Sequence, residues 1–266
     1  MKTLNDLVLT IQHYLSDYVL IIALLGGGIW FTFKLGFIQV RGFGEGMRRT
    51  FGGLFSKKGN ADKDGMSSFQ ALATAIAAQV GTGNIAGAAT ALAIGGPGAI
   101  FWMWIAAFLG MATIYAEAIM AQKYKTVGAD GQVTGGPVYY IRAAFKGTFG
   151  KVLAGIFAVL ITLALGFMGN AVQSNSIAAS FHTAFGIPQW IMGLVVAVIA
   201  IFVFMGGMKR IAKVTETIVP FMAALYIVGS LIVIIYNYKN IPYAFASIFI
   251  GAFSPSSVVV VQPVQL

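Results

Sequence analysis

The residues Ala78–Gly87, AQVGTGNIAG, place glycines and polar side chains inside an otherwise apolar run. They lie within an uncharged stretch from Gly65 to Ala116, which is long enough for two helical spans of about 20 residues each. Glycine destabilises a helix interior by roughly 1 kcal/mol relative to alanine, and two glycines flank Thr82. We therefore expect the helix to unwind here. Freed backbone at membrane depth is tolerated only where it is buried in protein or lines a water-filled cavity, so the break predicts a binding site.

The composition of the whole chain indicates an all-α integral membrane protein. Its 266 residues are 58% hydrophobic and 9% charged, whereas soluble domains carry about 25% charged residues. The chain contains no cysteine and only two histidines, His13 and His182, which argues against disulfides, thiolate metal sites and a bound cofactor. The uncharged runs predict six helical spans, at 16–36, 68–95, 98–121, 152–180, 188–207 and 215–237.

The basic residues predict how the spans are oriented. Of the 17 lysines and arginines, 15 lie at the end of the first span, directly after it, or in the loops 122–151 and 208–214, and the alternate loops 95–98 and 181–188 contain none. Cytoplasmic loops carry such an excess. We therefore expect a multi-pass protein of the bacterial inner membrane with its N-terminus outside. The net charge of +9 is explained by this topology and by weak contact with membrane lipid, and not by binding to nucleic acid.

The predicted spans divide the chain into five segments. Residues 1–15 are amphipathic and are expected to lie at the membrane interface, and 16–36 form a first span. Residues 37–66 are a basic, glycine-rich cytoplasmic linker, 67–240 hold five further spans, and 241–266 form a tail.

The two ends of the predicted break suit different ligands. The second half-helix is expected to begin near Asn84, and its free N–H groups and positive dipole end suit a carboxylate. The first half-helix is expected to end near Val80, where free carbonyls suit a hard cation such as sodium. Together they predict cation-coupled uptake of a small carboxylate-bearing solute. The alternative is close helix packing, since Gly83 and Gly87 form a face of small residues.

A second polar cluster lies in the fourth predicted span. In GFMGNAVQSNS, residues 166–176, the residues Gly166, Asn170 and Gln173 recur on one helical face. Buried amides in lipid surroundings need partners, so they either join helices or contact a solute. The polar motifs of these two spans carry no charged side chain, so they predict a ligand that is small, polar and without net charge.

The two carboxylates near the ends of spans have a simpler interpretation. Glu117 precedes Lys123, and Glu216 follows Lys213. We expect each carboxylate to pair with its lysine or to reach toward the basic interface.

These motifs together resemble a known family. Ser67–Lys125, in which VGTGNIAG is followed by GGPGAIFWMW, closely resembles the alanine or glycine:cation symporters, the sodium:alanine symporter family. GFMGNAVQSNSIA and TETIVPFMAALYI continue the resemblance, which covers residues 15–254. It implies a leucine-transporter-like fold with an extra N-terminal helix and two inverted five-helix repeats, of which 67–240 would be the first. It also implies a secondary active symporter, not an enzyme, that imports alanine or glycine with sodium.

The resemblance further implies roles for individual residues. Thr82 and Gly83 would offer N–H groups to the substrate carboxylate, and sodium would bind the Asn84 side chain and backbone carbonyls. The implied substrate-binding residues are Thr82, Gly83, Gln79, Gly166, Asn170 and Gln173. The implied cation-binding residues are Ala77, Val80, Gln79 and Asn84.

The chain departs from the family pattern near its end. After AFSP, 252–255, the chain reads SSVVVVQPVQL, where the family has a second discontinuous helix with an asparagine-glutamate-alanine-glycine signature. We therefore expect the second inverted repeat to be missing and this truncated N-terminal part to be inactive alone. The alternative function is a non-transporting structural or assembly subunit of the membrane. A membrane enzyme is disfavoured, because no span combines a nucleophile, a base and an orienting acid.

Overall fold

The computed structural model describes residues 2–55, 68–128 and 133–254, and these residues are almost entirely helical. The strands β1 (Thr126–Val127) and β2 (Val133–Thr134) form an antiparallel pair. The helices are α1 (Lys2–His13), α2 (Ile21–Lys34), α3 (Ile38–Arg41), α4 (Phe43–Phe55), α5 (Ser68–Gln79), α6 (Thr82–Gly95), α7 (Gly98–Lys123), α8 (Pro137–Ala144), α9 (Gly147–Leu163), α10 (Asn170–Phe185), α11 (Gln189–Phe204), α12 (Gly207–Tyr236) and α13 (Ile241–Gly251).

Within the described residues, four continuous helices are long and apolar enough to cross a bilayer. They are Asn5–Lys34, Gly98–Lys123, Gly147–Phe185 and Gly207–Tyr236. The apolar helix α11 is shorter. The predicted span at 68–95 consists of two helices of 12 and 14 residues, each too short to span a bilayer alone. The prediction of a helical membrane protein is therefore confirmed.

The distribution of side chains over the described residues suits lipid as the solvent. Large apolar side chains are exposed along the helices, and none is fully buried. The buried residues are mostly small, including Ala73, Ala112, Ala154 and Ala212. Small residues allow helix backbones to approach closely where no aqueous hydrophobic effect drives association.

The first predicted segments form one continuous helix. A π-helical segment, Tyr14–Leu20, joins α1 to α2 without a break. In this segment the buried Asp17 carboxylate lies 2.5 Å from Nδ1 of His13. The imidazole of His13 supplies a nearby polar partner for an acid in an apolar helix. Whether the first turns lie at the membrane interface stays a prediction.

The described residues form two compact units. Those of the first unit lie within Met1–Gly42 and Phe101–Asn170, and those of the second within Phe43–Ile100 and Ala171–Ser257.

In the first unit, α2 crosses α7 at Gly28. A side chain there would begin 2.8 Å from the Leu109 Cβ atom, so glycine permits the close approach. The neighbouring Thr32 is buried, and its hydroxyl donates to the Gly28 carbonyl at 2.7 Å. Nε2 of Gln39 donates to the Thr32 hydroxyl at 2.8 Å and to the Phe108 carbonyl at 3.2 Å. The amide of Gln39 therefore fixes the segment after α2 to both helices.

Glu117 does not form the predicted pair with Lys123 within the described residues. Instead, the Lys123 ammonium lies 5.6 Å from the centroid of the Tyr124 ring. The pKa of Tyr140, which follows the β hairpin in α8, is raised by burial and also by the negative charge of Glu117. The charge of Glu117 is therefore felt by the connector that follows α7.

In the second unit, α5 packs along α12. Nε2 of Gln70 donates to Oε2 of Glu216 at 2.9 Å, and one turn later the hydroxyls of Thr74 and Thr215 lie 3.2 Å apart. The prediction that Glu216 pairs with Lys213 is therefore wrong. A polar partner on α5 satisfies the carboxylate.

The helix α13 occupies the start of the predicted tail. It approaches the N-terminus of α7, where a side chain at Gly98 would begin 2.2 Å from the Gly251 carbonyl. The remainder of the predicted tail, from residue 255, lies outside the described residues, as does most of the linker after α4.

Candidate functional site

The predicted helix break is present between α5 and α6. Helix α5 ends at Gln79, and α6 begins at Thr82. The last turn of α5 is closed by the Val80 N–H, which donates to the Ile76 carbonyl at 2.8 Å. Gly81 is extended, with φ −128° and ψ −176°. The prediction of local unwinding is confirmed, and the two helix ends that it separates can be described atom by atom.

Side-chain oxygens accept from the N–H groups at the start of α6. Oε1 of Gln173, from α10, accepts from the Thr82 backbone N–H at 3.1 Å and from the Thr82 hydroxyl at 2.8 Å. Oδ1 of Asn84 accepts from the Gly81 N–H at 3.1 Å, and the Asn84 N–H donates back to the Gly81 carbonyl at 3.1 Å. The Asn84 side chain thus supplies one half of a capping box, and the backbone carbonyl supplies the return bond because Gly81 has no side chain. The positive end of α6 therefore already binds neutral carbonyl oxygens.

Gly83 differs from its neighbours in having a free N–H. Within the described ranges its N–H has no hydrogen-bond acceptor, and a Cβ atom placed on it would meet nothing within 4 Å. Free N–H groups at a helix N-terminus are an anion-binding arrangement. The space beside Gly83 is therefore open to a small carboxylate.

The end of α5 presents backbone acceptors. Because the Gly81 N–H donates to Asn84 and the Val80 N–H to Ile76, the carbonyls of Ala77, Gln79 and Val80 have no backbone donor among the described residues. Backbone and amide oxygens are ligands that hard cations accept. The described residues contain no group of three or more histidine, aspartate or glutamate side chains that could bind a metal. A cation at the break would therefore rely on these carbonyls and on the amide oxygen of Asn84.

Gly81 was missed by the sequence reasoning as a residue of the site. A Cβ atom here would lie 2.2 Å from Nε2 of Gln173 and 3.0 Å from its Cδ atom. Its backbone conformation is open to any residue, so glycine is required for space and not for backbone freedom. The first glycine of the GTG motif is the sequence signal that could have identified it.

The second predicted cluster is divided between the two units. Gln173 belongs to the second unit, together with Thr82, to which it is hydrogen-bonded. Gly166 and Asn170 belong to the first unit, where Nδ2 of Asn170 donates to the Gly166 carbonyl at 3.0 Å. Gly166 lies in a π-helical segment, Ala164–Gly169, a distortion that is frequent at functional sites. The role of these two residues in binding stays a prediction.

The chemistry of the break is that of neutral polar groups. The residues around it in the second unit that were predicted to bind ligands are Thr82, Gly83, Gln79, Gln173, Ala77, Val80 and Asn84, and none of them carries an ionisable side chain. Such a site has no fixed charge to balance a net-charged solute. It suits a zwitterion, whose carboxylate meets the helix N-terminus, with a cation bound by the nearby carbonyls.

Comparison with known proteins gives a consistent family. The model of the sodium:alanine symporter family matches residues 1–262. The chain is 44% identical over 254 residues to the sodium/alanine symporter of Methanococcus maripaludis, covering 95% of this chain and 55% of that protein. It is 44% identical over 252 residues to a Bacillus subtilis protein named as a probable sodium/glutamine symporter, covering 95% and 51%. It is 41% identical over 256 residues to an amino-acid carrier protein of Bacillus subtilis, covering 96% and 52%. The chain thus spans about half the length of the curated relatives that it matches.

Proposed function

The chain belongs to the sodium:alanine symporter family, and from this membership we propose that the break between α5 and α6 binds substrate and sodium in a secondary active amino-acid symporter. The family is one of transporters, not enzymes. The transport activity is proposed for a protein of the relatives' full length, because the chain spans about half of them.

The observation that carries this proposal is the position of the Gln173 amide oxygen. It accepts from both the backbone N–H and the hydroxyl of Thr82. This oxygen stands in for one oxygen of a substrate carboxylate, which would accept from the same donors with a full negative charge. Charge-assisted hydrogen bonds are about twice as strong as neutral ones, so a carboxylate can displace the amide. The free N–H of Gly83 would take the second carboxylate oxygen.

Sodium would bind on the α5 side of the break. The carbonyl of Gln79 and the amide oxygen of Asn84 would form one cation site, and the carbonyls of Ala77 and Val80 would contribute to a second. Asn84 already accepts from Gly81, but an amide oxygen has two lone pairs and can accept from an N–H and bind a cation together. The side chains of Ala77, Gln79, Val80 and Asn84 are exposed, so access to the break is not blocked by their own packing.

The substrate would be a small neutral amino acid. The open space at Gly83 and the lack of ionisable side chains around the break support a small zwitterion. We propose alanine or glycine as this amino acid, since the Methanococcus maripaludis relative is named for alanine. The Bacillus subtilis relative named as a probable sodium/glutamine symporter is also 44% identical to this chain. The degree of sequence identity therefore does not distinguish which amino acid is transported.

The fold that fits this function is the leucine-transporter fold. In this assignment Asn5–Lys34 contains the extra N-terminal span, and α5 with α6 form the broken first helix of a five-helix repeat that ends with α12. We also propose the bacterial inner membrane as location, with the N-terminus outside, because 15 of 17 basic residues then face the cytoplasm.

The test is uptake of radiolabelled alanine by proteoliposomes. The protein is a chimera in which residues 1–254 are joined to the part of the Methanococcus maripaludis symporter that the match leaves out. An inward sodium gradient is expected to drive uptake, and a potassium gradient is not. Gly83→Leu is expected to abolish uptake, because its side chain would cover the N–H groups of α6. Gly87→Leu is the matched control, since Gly87 also has open space around it in the same helix.

Two results would contradict the proposal. Uptake that is indifferent to sodium would exclude the coupling. If Thr82→Val and Gln173→Leu both left sodium-driven uptake unchanged, the two residues would serve only helix packing.

A further inference from the structure

We propose that a cavity at the end of the first span binds the headgroup of an anionic phospholipid. The cavity has a volume of about 470 Å³ and belongs to the first unit. It is distinct from the helix break and independent of the proposed transport. Its lining includes Phe33, Lys34, Gly36, Arg41, Tyr115 and Ile119.

The lining combines two cations with apolar side chains. Lys34 and Arg41 are the charged residues of the lining, and no carboxylate is among the lining residues. Within the described residues, neither cation forms an ion pair. Nη2 of Arg41 lies 3.4 Å from the Leu35 carbonyl, which leaves the other guanidinium N–H groups for a ligand. A phosphate has the geometry and charge that arginine binds through paired hydrogen bonds.

The position of the cavity matches the depth of lipid headgroups. Lys34 is the last residue of the candidate span Asn5–Lys34, and Tyr115 and Ile119 lie in the last turns of Gly98–Lys123. The polar and apolar parts of the lining thus occur where a bilayer changes from headgroup to acyl chain. Phe33 is 68% exposed and Phe37 45% exposed, so apolar surface continues beside the cavity for acyl chains to contact.

The backbone around the cavity is held in place. Gly36 and Phe37 both have positive φ, 61° and 53°, and form the turn that carries α3 back toward α7. Gln39 then bonds to Thr32 and to the Phe108 carbonyl. The turn therefore presents Arg41 to the cavity from a fixed backbone, which distinguishes the cavity from a diffuse basic surface.

The other charges of this unit favour an anion. Its described carboxylates are Asp6, Asp17 and Glu117. The first two lie toward the other end of the span, and Asp17 already contacts His13. Glu117 is on α7 but does not line the cavity. A phospholipid headgroup and a soluble phosphate ester both offer the phosphate that these cations would bind. The exposed apolar side chains of Phe33 and Phe37 beside the cavity favour the phospholipid.

Native mass spectrometry of the full purified chain tests this. The chain is titrated in detergent with dioleoyl-phosphatidylglycerol or dioleoyl-phosphatidylcholine, and the dissociation constant of the first bound lipid is measured. Phosphatidylglycerol is expected to bind at least tenfold more tightly. Lys34→Gln is expected to weaken its binding about fivefold, and Lys34→Gln with Arg41→Gln about thirtyfold, as for cations near an anionic headgroup.

Matched variants separate a defined site from general attraction. Lys146→Gln with Lys151→Gln removes two cations outside the cavity and is expected to leave lipid affinity within twofold. Ile119→Trp keeps both cations but fills the cavity, so the affinity for phosphatidylglycerol is expected to fall at least tenfold. Because Ile119→Trp leaves the turn that carries Arg41 unchanged, a loss of lipid affinity in this variant cannot be caused by misfolding of that turn.

Three outcomes of the lipid titrations would overturn the proposal. They are equal affinity for the two lipids, an equal effect of the control pair, and unchanged binding in Ile119→Trp. Displacement of phosphatidylglycerol by millimolar glycerol 3-phosphate would assign the cavity to a soluble phosphate and would also overturn it.

Discussion

Gly81 provides the space in which the Gln173 amide reaches Thr82. Its backbone is extended, so a substitution would not strain φ. The conflict would be between the new Cβ atom and the Gln173 side chain, at 2.2 Å from Nε2. Glycine at this position therefore determines whether α10 can cap α6.

Gly81→Ala is expected to lower stability. The clash would displace the Gln173 amide and break its two hydrogen bonds to Thr82, each contributing about 1 kcal/mol. For a chain of this size the loss corresponds to a fall in Tm of about 5 °C, measurable by thermal unfolding in detergent. In Gly87→Ala, where the new methyl group meets nothing within 4 Å, Tm is expected to be unchanged or higher.

A second variant checks the assigned cause. If the amide clash is responsible, Gly81→Ala with Gln173→Ala is expected to be no less stable than Gln173→Ala alone. An additive loss in the double variant would show that the methyl group conflicts with something else.

Glu117 and Tyr140 form an electrostatic pair of residues outside the helix break. Burial first, and then the charge of Glu117, raises the pKa of Tyr140. A raised pKa means that the neutral phenol is favoured in the folded state. This contribution to stability is fully present below the ordinary tyrosine pKa of about 10 and is lost as pH rises through the raised value.

Glu117→Gln is expected to lower the pKa of Tyr140 toward its ordinary value, although not fully, because burial remains. The measurement is the difference in alkaline absorbance titration between each background and its Tyr140→Phe variant. Asp6→Asn is the control and is expected to leave the titration unchanged. A Tyr140 pKa that did not respond to Glu117→Gln would refute the proximity of the two residues.

At the scale of elements, α5 depends on α12. Helix α5 has 12 residues and is too short to span a bilayer alone. It is held by packing along α12 and by the two polar contacts of Gln70 with Glu216 and Thr74 with Thr215. Since α5 carries the proposed cation ligands at its end, these contacts position that end.

Removing the contacts is expected to loosen α5. The chain has no cysteine, so a single cysteine at the exposed Ala71 reports on the helix without background. Gln70→Ala with Thr74→Ala is expected to increase several-fold the rate at which a maleimide modifies this cysteine. The reason is that the two polar contacts no longer hold α5 against α12.

Thr90→Ala is the control for this experiment. Within the part of the chain that the structure describes, the hydroxyl of Thr90 bonds only to the Ala86 carbonyl of its own helix, and its removal is expected to leave the labelling rate unchanged. An unchanged rate in the double variant would mean that apolar packing alone holds α5 to α12.

At the scale of the whole molecule, the proposed orientation follows from charge. Moving basic loops across a bilayer is costly, and 15 of the 17 basic residues lie on the side predicted to be cytoplasmic. The connectors that follow α7 and α10 are then expected on opposite sides of the membrane.

Single cysteines can test that orientation in intact cells. Cysteine in place of the exposed Phe185, at the end of α10, is expected to react with a membrane-impermeant maleimide from outside. Cysteine in place of the exposed Val127, in β1, is expected to react only after permeabilisation. The reverse pattern would invert the topology, and reaction of both from outside would place the two connectors on one side.

The sequence by itself determined the class of the protein and the place of its helix break. Apolar runs of span length are separated by loops, basic residues collect in alternate loops, and the GTG motif at Gly81–Gly83 falls where α5 gives way to α6. These are local properties, since helix propensity and span length depend on residues close together in the chain.

Only the tertiary structure decided which side chains meet. It pairs Gln173 with Thr82, 91 residues apart in the chain, and it pairs Glu216 with Gln70 instead of with Lys213. It also brings Lys34 and Arg41 to one cavity with Tyr115. A polar side chain in a low-dielectric surrounding takes the partner that helix packing brings within hydrogen-bonding distance. Proximity along the sequence therefore could not identify these partners.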